Sequence, residues 1–153
     1  MKIILNESEQ NNWKLIHANA LEVSAQLAVN ENDWAEAQQL LNTAKSFLKG
    51  QQNSSSLFIQ KWLAIVQMFN GNNKVNSTLK LQGVREQAIK NRHWETVREC
   101  DLYIAKYLND FNLLNKVYLG TPYREYRKSM LESFQKNKNP KENFCWNPSL
   151  IID

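Results

Sequence analysis

Glycine and proline are scarce in this sequence, whose 153 residues include 4 Gly and 3 Pro. Average usage is roughly 7% Gly and 5% Pro, so this scarcity favours long helices over low-complexity linkers. Apolar residues make up 42% of the chain, which argues against disorder over most of its length. A chain of this size is expected to form one domain whose core needs no metal or disulfide.

Cysteines and long apolar runs are scarce as well. The 2 cysteines, Cys100 and Cys145, lie outside any C-x-x-C motif and away from histidines at ligand spacing, which indicates a reduced, cytoplasmic protein. No apolar run approaches the roughly 18 residues of a membrane helix, and the apolar start at residues 3–5 is too short for a signal peptide. We therefore expect no membrane association, and the Asn-rich loops suggest a bacterial source.

Recognisable catalytic motifs are also missing: there is no Gly-rich phosphate loop, H-E-x-x-H or acidic calcium loop. His17 and His93 are more typical of packed or capping residues than of catalytic ones. On one helix, His93 and Cys100 would lie about 10 Å apart along the axis, too far for a base and its nucleophile. We expect no enzyme, no cofactor and no metal.

What the sequence does contain is helical periodicity, most clearly at residues 30–48. Polar turn formers there precede apolar side chains spaced by three or four, at Trp34, Ala37, Leu41, Ala44 and Leu48. The pattern returns sixty residues later at Trp94, Val97, Ile104 and Leu108. Both tryptophans are predicted to lie in the core, where replacement by alanine would cost about 3–5 kcal/mol of stability.

The first half of the chain predicts three helices. The first begins at Asn6 and has two apolar edges, so it is expected to pack between neighbours. One edge consists of Trp13, Ile16, Ala20, Val23 or Ser24, and Leu27. The other consists of Leu21, Ala25 and Ala28. The second is capped by Asp33 with Glu36 and ends near Gly50. The third, capped by Ser54 or Ser55, is the most apolar segment and is expected at the centre of the fold.

The second half predicts three or four more helices. The fourth begins near Asn76 or Ser77, and the fifth runs from Arg92 or His93 to about Leu108. Asn109-Asp110 favours a break before a short sixth helix at 111–119, the alternative being one helix through residue 119. Gly120-Thr121-Pro122 is a strong boundary before a seventh helix at 123–134.

At Trp34, Ala37, Leu41 and Ala44 the spacing resembles the second helix of a tetratricopeptide-type repeat, and Leu21, Ala25 and Ala28 resemble the helix before it. The later copy departs from the pattern, because Arg85 replaces a small residue and Asp101 a large apolar one. The resemblance implies stacked helical hairpins and a groove that binds a peptide or protein. We expect residues 1–136 to form a single all-α domain of six or seven helices in antiparallel hairpins, tetratricopeptide-like or an irregular bundle, and residues 137–153 a partly ordered tail.

Charge is distributed unevenly, since acids and bases balance in residues 1–75 and the whole surplus of +4 lies in residues 76–153. Aromatic and basic side chains interleave there at Y-R-E-Y-R-K, residues 123–128. Tyr, Trp and Arg dominate protein contact surfaces, and the same side chains also bind single-stranded nucleic acid. A simpler interpretation of this segment is that its tyrosines are half buried and its charged side chains are solvated, with no partner.

These patterns predict a protein- or peptide-binding module with a regulatory, adaptor or chaperone-like role. Nucleic-acid binding is the alternative, and a second copy of the chain is a further candidate partner. The predicted contact residues are Arg85, Arg92, Arg98, Tyr123, Arg124, Tyr126, Arg127 and Lys128.

Overall fold

The computed structural model of the protein describes residues 7–71 and 74–120. Six helices account for most of these residues: α1 (Glu7–Asn30), α2 (Trp34–Phe47), α3 (Ser54–Asn70), α4 (Lys74–Lys90), α5 (Trp94–Leu108) and α6 (Phe111–Gly120). No strand occurs in these ranges, so the all-α prediction is confirmed there. The predicted seventh helix and the tail at 137–153 lie outside the described residues.

The helices form a bundle in which each one packs against the next along the chain. In addition, α1 contacts α3, and α3 contacts α5, so the odd-numbered helices lie side by side. Helices α2 and α4 each pack against the odd-numbered helices before and after them. The predicted central position of α3 is therefore confirmed, since α3 touches α1, α2, α4 and α5.

The α1–α2 and α4–α5 turns have the same backbone geometry, sixty residues apart. Asn32 and Arg92 are left-handed, with φ of 61° and 58°. In the first turn the amide of Asp33 donates to the carbonyl of Ala28 at 2.8 Å. In the second the amide of His93 donates to the carbonyl of Ala88 at 2.9 Å. Such bonds satisfy carbonyls that a helix end leaves free, and the buried alanines let the two helices approach closely. The repeated sequence pattern thus corresponds to a repeated turn.

A third turn of this kind separates α5 from α6. Asn109 is left-handed with φ of 53°, and the amide of Asp110 donates to the carbonyl of Ala105 at 2.9 Å. The Asp110 side chain then accepts from the amide of Leu113 at 3.0 Å and so caps α6. The predicted break after Leu108 is confirmed, and the continuous helix is wrong.

Side-chain caps match the sequence at α2 but not at α3. Asp33 accepts from the amide of Glu36 at 2.9 Å, as predicted. Helix α3 is capped by Asn53, which accepts from the amide of Ser56 at 2.9 Å, so the prediction of Ser54 or Ser55 was wrong by one or two positions. Helix α4 begins at Lys74, earlier than expected.

The core is built around aromatic side chains of α3. Trp62 is 1% exposed and meets the Tyr103 ring edge-on, with centroids 5.6 Å apart. Phe69 stacks on Trp34 at 5.7 Å, so Trp34 packs against the core as predicted. Trp62, Phe69 and Tyr103 are buried and Trp34 is partly buried, so these rings contribute to the hydrophobic stabilisation of the domain.

The prediction that Trp94 lies in the core was wrong, because its side chain is 54% exposed. The buried face of α5 includes Thr96, Cys100 and Tyr103. Trp94 precedes Tyr103 by nine residues, or two and a half helical turns, so it lies on the opposite side. The rest of the predicted stripe is divided: Ile104 is buried and Val97 packs against the core, whereas Leu108 is 54% exposed. Apolarity alone misplaced the two ends of the stripe, because the face that packs inward also includes the charged residue Glu99.

The first helix also differs from its prediction. One edge packs inward, with Ala18, Ala25 and Ala28 buried. The other edge is exposed instead of sandwiched, because α2 and α3 both lie on the inward side of α1. No helix in the described ranges has the length and hydropathy needed to cross a membrane.

Candidate interaction surface

The predicted contact residues divide into two groups. Arg85, Arg92 and Arg98 lie on α4, the α4–α5 turn and α5. The others lie outside the described residues; they are Tyr123, Arg124, Tyr126, Arg127 and Lys128. The structure therefore places only the arginines.

Arg85 holds α4 against α5. Its Nε donates to Oδ1 of Asp101 at 2.5 Å, and its terminal nitrogen donates to Oδ2 at 3.1 Å. The hydrogen bond to Asp101 raises the pKa of Arg85, and partial burial opposes this effect. Arg85 and Asp101 are the two residues at which the sequence departs from the tetratricopeptide pattern, and in the structure their opposite charges pair with each other. Because its guanidinium is committed to this pair, Arg85 is a weak candidate for partner contact.

Arg92, Trp94 and Arg98 form the surface that we call the Trp94 patch. Arg92 is exposed in the α4–α5 turn, and Trp94 follows at the first turn of α5. Arg98 lies one helical turn beyond Trp94 on the same face and forms an ion pair with Glu95. Both arginines were predicted from the sequence as contact residues, whereas Trp94 was predicted to lie in the core. The four-residue spacing between Trp94 and Arg98 was the signal that could have revealed it.

A polar cleft of about 520 Å³ opens between the start of α3 and the α4–α5 turn. His93 spans it: its Nε2 lies 3.1 Å from the Ser54 hydroxyl, and its ring meets Phe58 edge-on at 6.1 Å. We call this the amide cleft, because amide side chains dominate its lining: Gln52, Asn53, Gln60, Gln87 and Asn91. Primary amides both donate and accept, so they suit the N–H and C=O groups of a peptide backbone.

The amide cleft and the Trp94 patch meet in four consecutive residues. Asn91 and His93 line the cleft, whereas Arg92 and Trp94 belong to the patch. The left-handed conformation of Arg92 produces this division, because it reverses the chain direction between α4 and α5. One turn thus carries an aromatic anchor, basic groups and a hydrogen-bonding cleft.

A buried ion pair links α3 and α5. Lys61 of α3 donates to Glu99 of α5, and both side chains are almost fully buried. The Lys61 ammonium also lies 4.8 Å from the centre of the Trp62 ring, within cation–π range. Glu22 of α1 interacts electrostatically with both charged groups and accepts a hydrogen bond from Gln26.

Burial also governs the ionisation of two groups in this region. Desolvation raises the pKa of Glu22, and the Lys61 charge opposes part of that effect. Burial raises the pKa of the Cys100 thiol to about 12, so this thiol stays protonated and is a poor nucleophile at neutral pH. Among the described residues, no group of three His, Cys, Asp or Glu side chains could hold a metal ion.

We predict that Glu22→Gln stabilises the protein at pH 7. A carboxyl whose folded-state pKa is raised contributes stability below the unfolded pKa, and that contribution is lost as pH rises through the folded pKa. Glutamine keeps the shape and the acceptor for Gln26 but does not ionise. Thermal melts across a pH series should show a higher melting temperature for the variant at pH 7 and a difference that shrinks toward pH 4. A less stable variant at pH 7 would show that the attraction to Lys61 outweighs desolvation.

Comparison with known protein families finds no family model that matches this chain. Comparisons with curated proteins and with solved structures find no match either.

Proposed function

We propose that the protein is a protein- or peptide-binding module whose contact surface is the Trp94 patch with the adjoining amide cleft. The observation that carries the proposal is the exposure of Trp94 between Arg92 and Arg98. Tryptophan and arginine are the residues most enriched among interface hot spots, and they bind best when a partner desolvates them together. The adaptor, regulatory or chaperone-like role in a bacterial cytoplasm remains part of this proposal.

The amide cleft supports a peptide segment as the bound element. Its glutamines and asparagines carry both donors and acceptors. Asn53 already uses both of its groups within the chain, whereas Gln60 and Gln87 each use only their amide nitrogen. His93 and Ser54, which contact each other, add further polar groups. A partner peptide would place one anchoring side chain against Trp94 and run its extended backbone through the cleft. The N–H and C=O groups of that backbone would form hydrogen bonds with the amide side chains of the cleft. Burial of the indole would supply affinity, and the amides would supply orientation.

Local charge favours a protein over nucleic acid. Arg85 is paired with Asp101, and Arg98 is paired with Glu95, so carboxylates neutralise both guanidinium groups. A surface that binds phosphates gains affinity from cations whose counterions are released on binding. Nucleic-acid binding therefore stays the alternative, with weaker support from the described residues.

We predict that Trp94→Ala weakens partner binding strongly without unfolding the domain. Loss of a hot-spot tryptophan typically costs about 2 kcal/mol or more of binding free energy, roughly a 30-fold weaker Kd. The immobilised protein would capture partners from lysate of the source cell, with and without nuclease treatment. A partner identified by mass spectrometry would then be purified and titrated by calorimetry against wild type and variant.

Leu79→Ala is the matched control, because Leu79 is another exposed apolar residue, 59% exposed on α4. The control should bind as wild type does. Equal affinities of wild type and Trp94→Ala would exclude the Trp94 patch as the contact. Binding that disappears after nuclease treatment or falls steeply with salt would instead support the nucleic-acid alternative.

A further inference from the structure

The outer face of α1 carries an apolar stripe directly opposite its buried face. Four large side chains on this stripe, Trp13, Ile16, Val23 and Leu27, are between 46% and 62% exposed. Ala20 lies among them and is also exposed. A contiguous apolar stripe of this kind on a soluble domain is typical of an interaction surface.

The spacing along the stripe is three, four, three, four, which is the heptad pattern of a coiled-coil seam. At 3.6 residues per turn, the five side chains fall within a strip about 80° wide. The core of the domain does not use this strip, because α1 packs on α2 and α3 through the opposite face, around Ala18 and Ala25. Helix α1 thus carries a second, independent packing seam.

We propose that this seam pairs with the same seam of a second copy, with the two α1 helices antiparallel. Ala20 is the midpoint between Trp13 and Leu27, so a two-fold axis at Ala20 brings Trp13 onto the partner's Leu27. Ile16 then lies beside the partner's Val23. The small Ala20 side chains meet at the axis and let the helices approach closely. Such a contact is isologous and closes after two copies.

The borders of the seam favour a second copy over a different protein. Between Trp13 and Leu27 these borders carry no Asp, Glu, Lys or Arg: Asn12 and Asn19 lie on one side, His17 and Ser24 on the other. The first acidic residue on the second side, Glu31, lies beyond Leu27 at the end of α1. Charges at these positions would select a complementary partner, and like charges would repel a second copy. Phe47 of α2, partly exposed, lies against His17 with ring centroids 5.8 Å apart and widens the apolar surface.

The seam spans about 21 Å at 1.5 Å per residue, only two heptads. An isolated coiled coil needs three to four heptads, because its helices must form as they associate. Here α1 is already held as a helix by α2 and α3, so pairing orders only side chains. The proposal is independent of the Trp94 patch, which lies on a different helix.

The first test is the oligomeric state of the full chain by sedimentation equilibrium. We expect a dimer at micromolar concentrations, and we expect Ile16→Glu to weaken dimerisation by at least about 100-fold, since it places two carboxylates in the seam. If Ile16→Glu fails to fold, Val23→Lys serves as a second variant, because it places charge of the opposite sign in the same seam. Leu79→Glu, an exposed apolar position on α4, is the matched control and should remain dimeric. A monomeric wild type, or a dimer that survives the seam substitutions, overturns the proposal.

The second test fixes the orientation by disulfide cross-linking in a Cys145→Ser background. The remaining Cys100 is buried and its thiol is unreactive, so it does not interfere. Trp13→Cys mixed with Leu27→Cys should cross-link, whereas each variant alone should not, and Ala20→Cys should cross-link to itself. A Trp13→Cys variant that cross-links to itself would show parallel pairing and overturn the antiparallel arrangement.

Discussion

Replacing Glu99 with Leu is expected to lower the free energy of unfolding by about 3–5 kcal/mol, because the buried Lys61 ammonium loses its partner. The ammonium is almost fully buried and lies over the rings of Phe58 and Trp62, so little water can replace the lost carboxylate. Urea denaturation followed by circular dichroism measures the effect. The nearby Glu22 carboxylate offsets part of the loss, so Glu22→Gln combined with Glu99→Leu should be less stable still.

A double variant separates the charge effect from the loss of packing. Lys61→Met combined with Glu99→Leu, both made in a Glu22→Gln background so that no buried carboxylate loses the Lys61 charge, removes both charges and keeps similar side-chain volumes, so it should recover most of the stability. Recovery would show that the single variant was destabilised by an unpaired charge. If Glu99→Leu alone costs less than about 1 kcal/mol, the pair is solvated rather than buried. If the double variant is no better than the single one, Glu99 acts through packing.

Replacing Trp62 with Ala is expected to cost about 3–5 kcal/mol, because it leaves a large cavity where α3 meets α5. Trp62 is almost completely buried, and it contacts both the Tyr103 ring and the Lys61 ammonium. The helices that pack around α3 limit how far the surrounding side chains can move to fill this cavity. Thermal and urea unfolding of the variant measure the loss.

Trp94→Ala is the matched control, since it deletes the same side chain from an exposed position. Its effect on stability should stay within about 0.5 kcal/mol, the usual range for surface substitutions. Should Trp94→Ala be as damaging as Trp62→Ala, Trp94 would be a core residue and the proposed contact surface would lose its anchor. This pair of variants therefore tests the fold and the site together.

Several elements could be predicted because their determinants are local in the chain. Asp33 caps α2 through a bond to an amide three residues away, and Asn109-Asp110 ends one helix and begins the next within two residues. The seventh helix and the contact residues from Tyr123 to Lys128 remain predictions, since they lie outside the described residues. The resemblance to tetratricopeptide repeats also remains a prediction.

The candidate site could be predicted only in part. Arg92 and Arg98 were identified from composition and charge, but Trp94 was assigned to the core because it is apolar and follows a turn as Trp34 does. The two positions differ in what lies next to them: Trp34 stacks on Phe69, whereas Trp94 lies opposite the buried face of α5. The amide cleft joins residues from two distant turns, so no periodicity could indicate it.

The sequence by itself determined the all-α class, the turns and the central place of α3, because caps, left-handed turn residues and apolar density act within a few residues. Only the tertiary structure decided which side of α1 and α5 faces inward, and it brought together Lys61 with Glu99 and Arg85 with Asp101. The physical reason is that a helix with apolar residues on two faces, or with charges on its buried face, is defined by its neighbours. Packing selects the buried face, and the face that it leaves exposed is available for binding.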